Sequence, residues 1–71
     1  MTLRFLGKDP DSPQGGSPTL WIDDADGSLI VQGWRLDDET MGDVVAAGAV
    51  PPHETVVRIP GRMLPFLGSA F

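Results

Sequence analysis

The chain contains no cysteine and no tyrosine, one histidine, one lysine, and only five basic residues against ten acidic ones. Without cysteine there is no disulfide staple, no thiolate nucleophile and no thiolate metal ligand, and one histidine cannot supply a His-rich metal site. Dense positive charge is missing too. Nucleic-acid binding draws on a basic face that releases counterions from phosphates, whereas Arg4, Lys8, Arg35, Arg58 and Arg62 are scattered along a chain of net charge −5. No nucleic-acid partner is expected, and direct DNA binding is disfavoured. The longest apolar run, residues 44–50, has seven residues, and a membrane span needs about 20. No basic segment leads into an apolar stretch near the start of the chain, so no signal peptide is expected. These absences together predict a cytoplasmic protein with no membrane contact.

What is present is a small domain written mainly in strand-forming patterns. Its 71 residues make one domain, 1–71, that buries only about 60% of its unfolded surface. The clearest stretch is residues 19–34, where two apolar runs flank an acidic turn ending Asp26-Gly27 and each run carries one of the two tryptophans. This is a β-hairpin signature. With a two-residue Asp26-Gly27 corner, Trp21 faces Gln32 and Thr19 faces Trp34, so both indoles lie on one face as diagonal neighbours. Leu20, Ile22 and Val31 lie on the other face. A one-residue change in the loop would flip one strand and separate the tryptophans. Gly33 marks either a bulge or a close approach of another backbone or a ring.

Elsewhere, Leu3 and Phe5 alternate as in a short first strand, residues 3–6. Residues 7–18 hold three prolines, three glycines and two aspartates, which reads as a loop. The third strand runs over 29–36. Asp37 or Asp38 caps a helix whose Met41, Val44 and Val45 form a narrow apolar stripe, and Gly48 is a natural left-handed stop. Pro51-Pro52 restart an extended chain, and residues 54–59 alternate as a further strand ending at Pro60. Residues 61–67 read as a helical turn or two that Pro65 keeps short, and 68–71 as a frayed tail.

No constellation carries a reaction. Asp23-Asp-Ala-Asp26-Gly resembles part of a calcium loop, but the twelfth position falls on Trp34 or Arg35, neither of which can ligate. Gly15-Gly16-Ser17 lacks the following helix and lysine of a phosphate loop. His53-Glu54 is the one pair resembling an acid–base couple; at a strand start its members point to opposite faces. No catalytic, metal or cofactor residue is assigned, and an enzyme is not expected. The nine acids between Asp9 and Asp43, against the single base Arg35, suit either a solvated surface or the steering of a basic protein partner. Trp21 and Trp34 form either a small packed core or a contact patch flanked by Arg35 and Arg58, since tryptophan is enriched among residues that dominate binding energy.

Four segments, Leu3-Arg-Phe-Leu-Gly-Lys8, Gly16-Ser-Pro-Thr-Leu20, Ile30-Val-Gln-Gly-Trp34 and Val57-x-Ile-Pro-x-Arg-x-Leu64, resemble a family of short uncharacterised actinobacterial proteins. The resemblance spans most of the chain. Members are often encoded near helix-turn-helix regulators, which implies a regulatory protein partner; the resemblance brings no known activity, cofactor or catalytic residue to carry over. Trp21, where the family would carry tyrosine, and Pro65 in the last turn depart from it. The expected fold is α+β: a small antiparallel sheet of three to four strands, one packed helix and a short C-terminal helical turn. The expected function is a non-catalytic protein–protein interaction module, an accessory or antagonist of a transcription regulator. Its candidate surface is Trp21, Trp34, Arg35 and Arg58, and homodimerisation is open to it. The alternative is a small-molecule sensor with a pocket near the Gly/Pro loop and the tryptophans.

Overall fold

The computed structural model describes residues 2–11 and 17–70. Strands β1 (Leu3–Lys8), β2 (Thr19–Asp23) and β3 (Ser28–Gln32) form an antiparallel sheet with β2 in the middle. Strands β4 (Trp34–Arg35) and β5 (Val57–Arg58) form a separate two-stranded ribbon. Between them lies helix α1 (Asp38–Ala47), and a 3-10 helix, Gly61–Ala70, ends the described chain. The architecture is α+β.

The hairpin between β2 and β3 is present, with a register two residues from the expected one. Asp23 pairs with Ser28, Trp21 with Ile30 and Thr19 with Gln32, so the loop is residues 24–27. The reason is dihedral. A two-residue type I′ corner needs positive φ at both central residues. Among the described residues only Gly27 takes it, at +77°. Asp26 instead accepts hydrogen bonds from the Ser28 N–H (2.9 Å) and hydroxyl (2.6 Å). The Asp23 carbonyl accepts the Asp26 and Gly27 N–H groups at 3.3 and 2.8 Å. An even shift preserves side-chain faces, so Leu20, Ile22 and Val31 still share one side and Trp21 lies on the other.

The expected long third strand is divided. β3 stops at Gln32, and Trp34–Arg35 pairs with Val57–Arg58 instead. Gly33 makes the switch possible: a Cβ there would sit 2.6 Å from the Arg58 carbonyl oxygen. The expected strand over 54–59 contracts accordingly to Val57–Arg58. Asp37 caps α1, accepting the Thr40 N–H at 2.7 Å. Gly48 ends the helix without a left-handed turn. Its φ is 173°, and its N–H is shared between the Val44 and Val45 carbonyls at 3.2 Å each.

No residue of α1 is buried; the segment that covers the three-stranded sheet is the 3-10 helix. Pro65 bars an α-helix there, because its ring would strike the carbonyl four residues back, and the tighter winding continues past it to Ala70. The tail expected to fray is therefore helical over 68–70; Phe71 lies outside the described residues. The ring of Phe66 stands over Gly7, which pairs with Leu20 just past a bulge between Phe5 and Gly7. Leu20 and Met63 are wholly buried and Ile22 nearly so, and these three form the apolar core. Arg62 anchors the same helix, donating through Nε and Nη2 to the two carboxylate oxygens of buried Asp9 at 2.6 Å each. Asp9 first, and Asp11 more weakly, hold the Arg62 guanidinium even more firmly protonated than usual. The Gly/Pro loop starts and ends on the sheet, where the Asp9 N–H donates to the Pro18 carbonyl at 2.9 Å; its residues 12–16 are outside the described chain.

Candidate interaction surface

Opposite the side that lies under the 3-10 helix, the three-stranded sheet has a second face on which Phe5 and Ile30 are exposed while Thr19, at its far end, is buried. Register places Phe5, Trp21 and Ile30 in one row straight across that face, with Leu3, Asp23 and Ser28 in the next. Phe5 is 60% exposed, Leu3 and Ile30 are exposed, and Trp21 is half-buried between its neighbours. Cross-strand aromatic and branched side chains stand within contact reach of each other. The row is therefore a flat apolar band rather than three isolated side chains.

An acidic corner closes one end of the band. The Asp23 carboxylate accepts the Thr2 hydroxyl at 2.7 Å and the Ala25 N–H at 3.0 Å, and Asp24 lies 3.4 Å from Arg4 in an exposed ion pair. The Ser28 hydroxyl, and secondarily the Ser28 N–H, keep the Asp26 carboxyl below the usual carboxylate range.

The four residues expected to form one surface fall on two. Trp34, Arg35 and Arg58 come together on the β4–β5 ribbon, where Trp34 faces Arg58 and Arg35 faces Val57. Trp21 stays in the centre of the other sheet, opposite Phe5 and Ile30. The diagonal pairing of the indoles is not formed, because the chain changes sheets at Gly33. Arg58 is also engaged elsewhere: its Nη2 donates to the Thr40 hydroxyl at 3.1 Å. The Thr40 hydroxyl and N–H, with a smaller contribution from Arg58, hold the Asp37 carboxyl below its ordinary range. Phe5 and Ile30 were not expected at the site. Their signal, alternation in 3–6 and 28–32, becomes legible only once the strand order and the four-residue loop are known.

His53 Nε2 lies 3.8 Å from Glu54 Oε2, both well exposed. They occupy a turn rather than a strand start, so they do not point apart as expected. The described residues enclose no pocket and hold no group of three or more His or acidic residues arranged for a metal ion. Residues 12–16, part of the loop considered for a sensor pocket, lie outside that description. No described helix is long and apolar enough to cross a membrane. No protein-family model, no curated protein and no solved structure matches this chain.

Proposed function

We propose that this chain is a non-catalytic protein–protein interaction module that acts through the Phe5–Trp21–Ile30 band and its acidic corner. One observation carries the reading: among the described residues the buried core is Leu20, Ile22 and Met63 with Pro18 beside them, while nine large apolar side chains, Phe5 and Ile30 among them, are exposed. A domain that leaves this much apolar surface in water is built to cover it with something else. Aromatic side chains at the centre of such a band are the usual anchors of a contact. Net charge −5, with Asp23, Asp24 and Asp26 at the band's end, favours a basic partner through faster and more selective encounter. The resemblance to proteins encoded beside helix-turn-helix regulators makes a transcription regulator the partner of choice, with this chain its accessory or antagonist. Self-association is part of the same reading.

Affinity capture with wild type and Phe5→Ser side by side tests it. Because Phe5 is largely exposed, the substitution is expected to cost about 1 kcal/mol of folding stability, mainly through its cross-strand pair with Trp21. It is expected to remove the specifically captured partner. Recovery of the same partner at equal yield by both proteins would overturn the reading.

A further inference from the structure

The two edges of the three-stranded sheet differ. The outer edge of β1 carries Arg4 and Lys8 and is distorted by the bulge between Phe5 and Gly7. Charge and bulges are the devices that keep an edge strand from pairing with another chain. β3, Ser28-Leu-Ile-Val-Gln32, has none of them: it holds no charge, no proline and no bulge, and all five residues are exposed. Among the described residues its backbone pairs with β2 alone. One side of the strand thus presents free backbone donors and acceptors, and the group that satisfies such a row is another extended strand.

We infer that the strand taken up is β3 of a second copy, paired antiparallel about a two-fold axis at Ile30. The inference rests on the interaction reading above but uses the sheet edge rather than its face. The sequence of β3 is complementary to itself in this register. Ile30 faces the partner's Ile30, Leu29 faces the partner's Val31, and Ser28 faces the partner's Gln32. Every directly opposed pair is apolar with apolar or neutral polar with neutral polar. No like charges oppose each other, as an isologous contact requires. The resulting six-stranded sheet carries the apolar band across the junction, as Phe5, Trp21, Ile30 and then the same three in reverse. Leu29 and Val31, exposed in the single chain, gain cross-strand neighbours on the other side. Two five-residue edges bury less than the roughly 1,200 Å² typical of stable complexes, so the dimer is weak and concentration-dependent.

Sedimentation from micromolar to millimolar protein is expected to show the mass rising from 7.6 kDa towards twice that value. Leu29→Lys/Val31→Lys opposes like charges across the axis and is expected to stay monomeric. Leu29→Glu/Val31→Lys opposes unlike charges in the same register and is expected to retain the dimer, more strongly at low salt. Amide exchange on wild type supplies a readout independent of whether the variants fold: alternate β3 amides gain protection as concentration rises. A wild type that is monomeric at millimolar concentration, or β3 amides whose exchange ignores concentration, overturns the inference. So does a dimer abolished by Phe5→Ser and untouched by Leu29→Lys/Val31→Lys, because that dimer stacks through the sheet face. A monomeric wild type with Phe5-dependent capture overturns only the dimer. A β3 dimer that captures no other protein overturns only the search for a basic partner.

Discussion

Gly7 shows how one residue type decides whether the sheet is covered. Its missing side chain leaves the space in which the Phe66 ring lies, with the ring Cδ1 and Cδ2 atoms 2.6 Å from where a Cβ would stand. Gly7→Ala is therefore expected to push the ring off the sheet and to cost about 1–3 kcal/mol, as overpacking does. Urea melts would show a lower midpoint together with a changed Phe66 NMR environment; an unchanged midpoint would mean that the ring moves freely. Gly33 answers to the same kind of constraint, but there the obstacle is the Arg58 carbonyl, which cannot rotate aside as a ring can. Gly33 is visible in the sequence as a weak point in a strand, whereas Gly7 reads there as the start of a loop and the structure places it inside β1. What approaches them is not visible there, since Phe66 and Arg58 lie far along the chain.

At the scale of elements, the hairpin and the helix start were legible because each depends on local chemistry. Asp37 bonding to Thr40 is a contact over three residues, and the turn at 24–27 is held by Asp23, Asp26 and Ser28 within itself. The same bonds make stability depend on acid. Asp26 and Asp37 have folded-state pKa values below their ordinary ones, so the folded protein holds fewer protons than the unfolded chain. Their contribution is complete above about pH 5 and declines as pH falls through the unfolded-state value near 4 into the lowered folded range. Urea midpoints are expected to drop between pH 5 and pH 3, and less so in an Asp26→Asn/Asp37→Asn variant, whose asparagine at 37 still caps a helix well. Equal pH dependence of the two proteins would assign the acid sensitivity to other carboxylates. The length of β3 and the loss of most of the 54–59 strand were not legible. Period-2 alternation says that a segment can be a strand, not which neighbour it finds.

Across the whole molecule, burial is sparse. The radius of gyration is 13.6 Å, against roughly 11 Å for a close-packed chain of this length. α1 has no fully buried residue, only half-buried ones such as Met41 and Val44, and the core is confined to the space between one sheet and the 3-10 helix. With so few buried groups, each one weighs heavily. Met63→Ala is expected to cost about 2–5 kcal/mol, comparable to the few kcal/mol available to a domain this small, and to leave the chain largely unfolded by circular dichroism and indole fluorescence. Leu64→Ala, at a position that is 56% exposed, should stay within about 0.5 kcal/mol of wild type. If the two variants melted alike, the 3-10 helix would not be the lid of the core.

By itself the amino-acid order determined the α+β character, the turn near Gly27, the cap at Asp37 and the acidic, cysteine-free chemistry. Each of these follows from dihedral preference, hydrogen bonding or charge acting over a few neighbouring residues. Tertiary structure alone decided that the chain changes sheets at Gly33 and that the two tryptophans lie in different sheets. It also set Asp9 against Arg62 and laid the 3-10 helix, rather than α1, over Leu20. Those outcomes depend on how distant segments compete for the same small area of apolar surface, and no local pattern records the result of that competition.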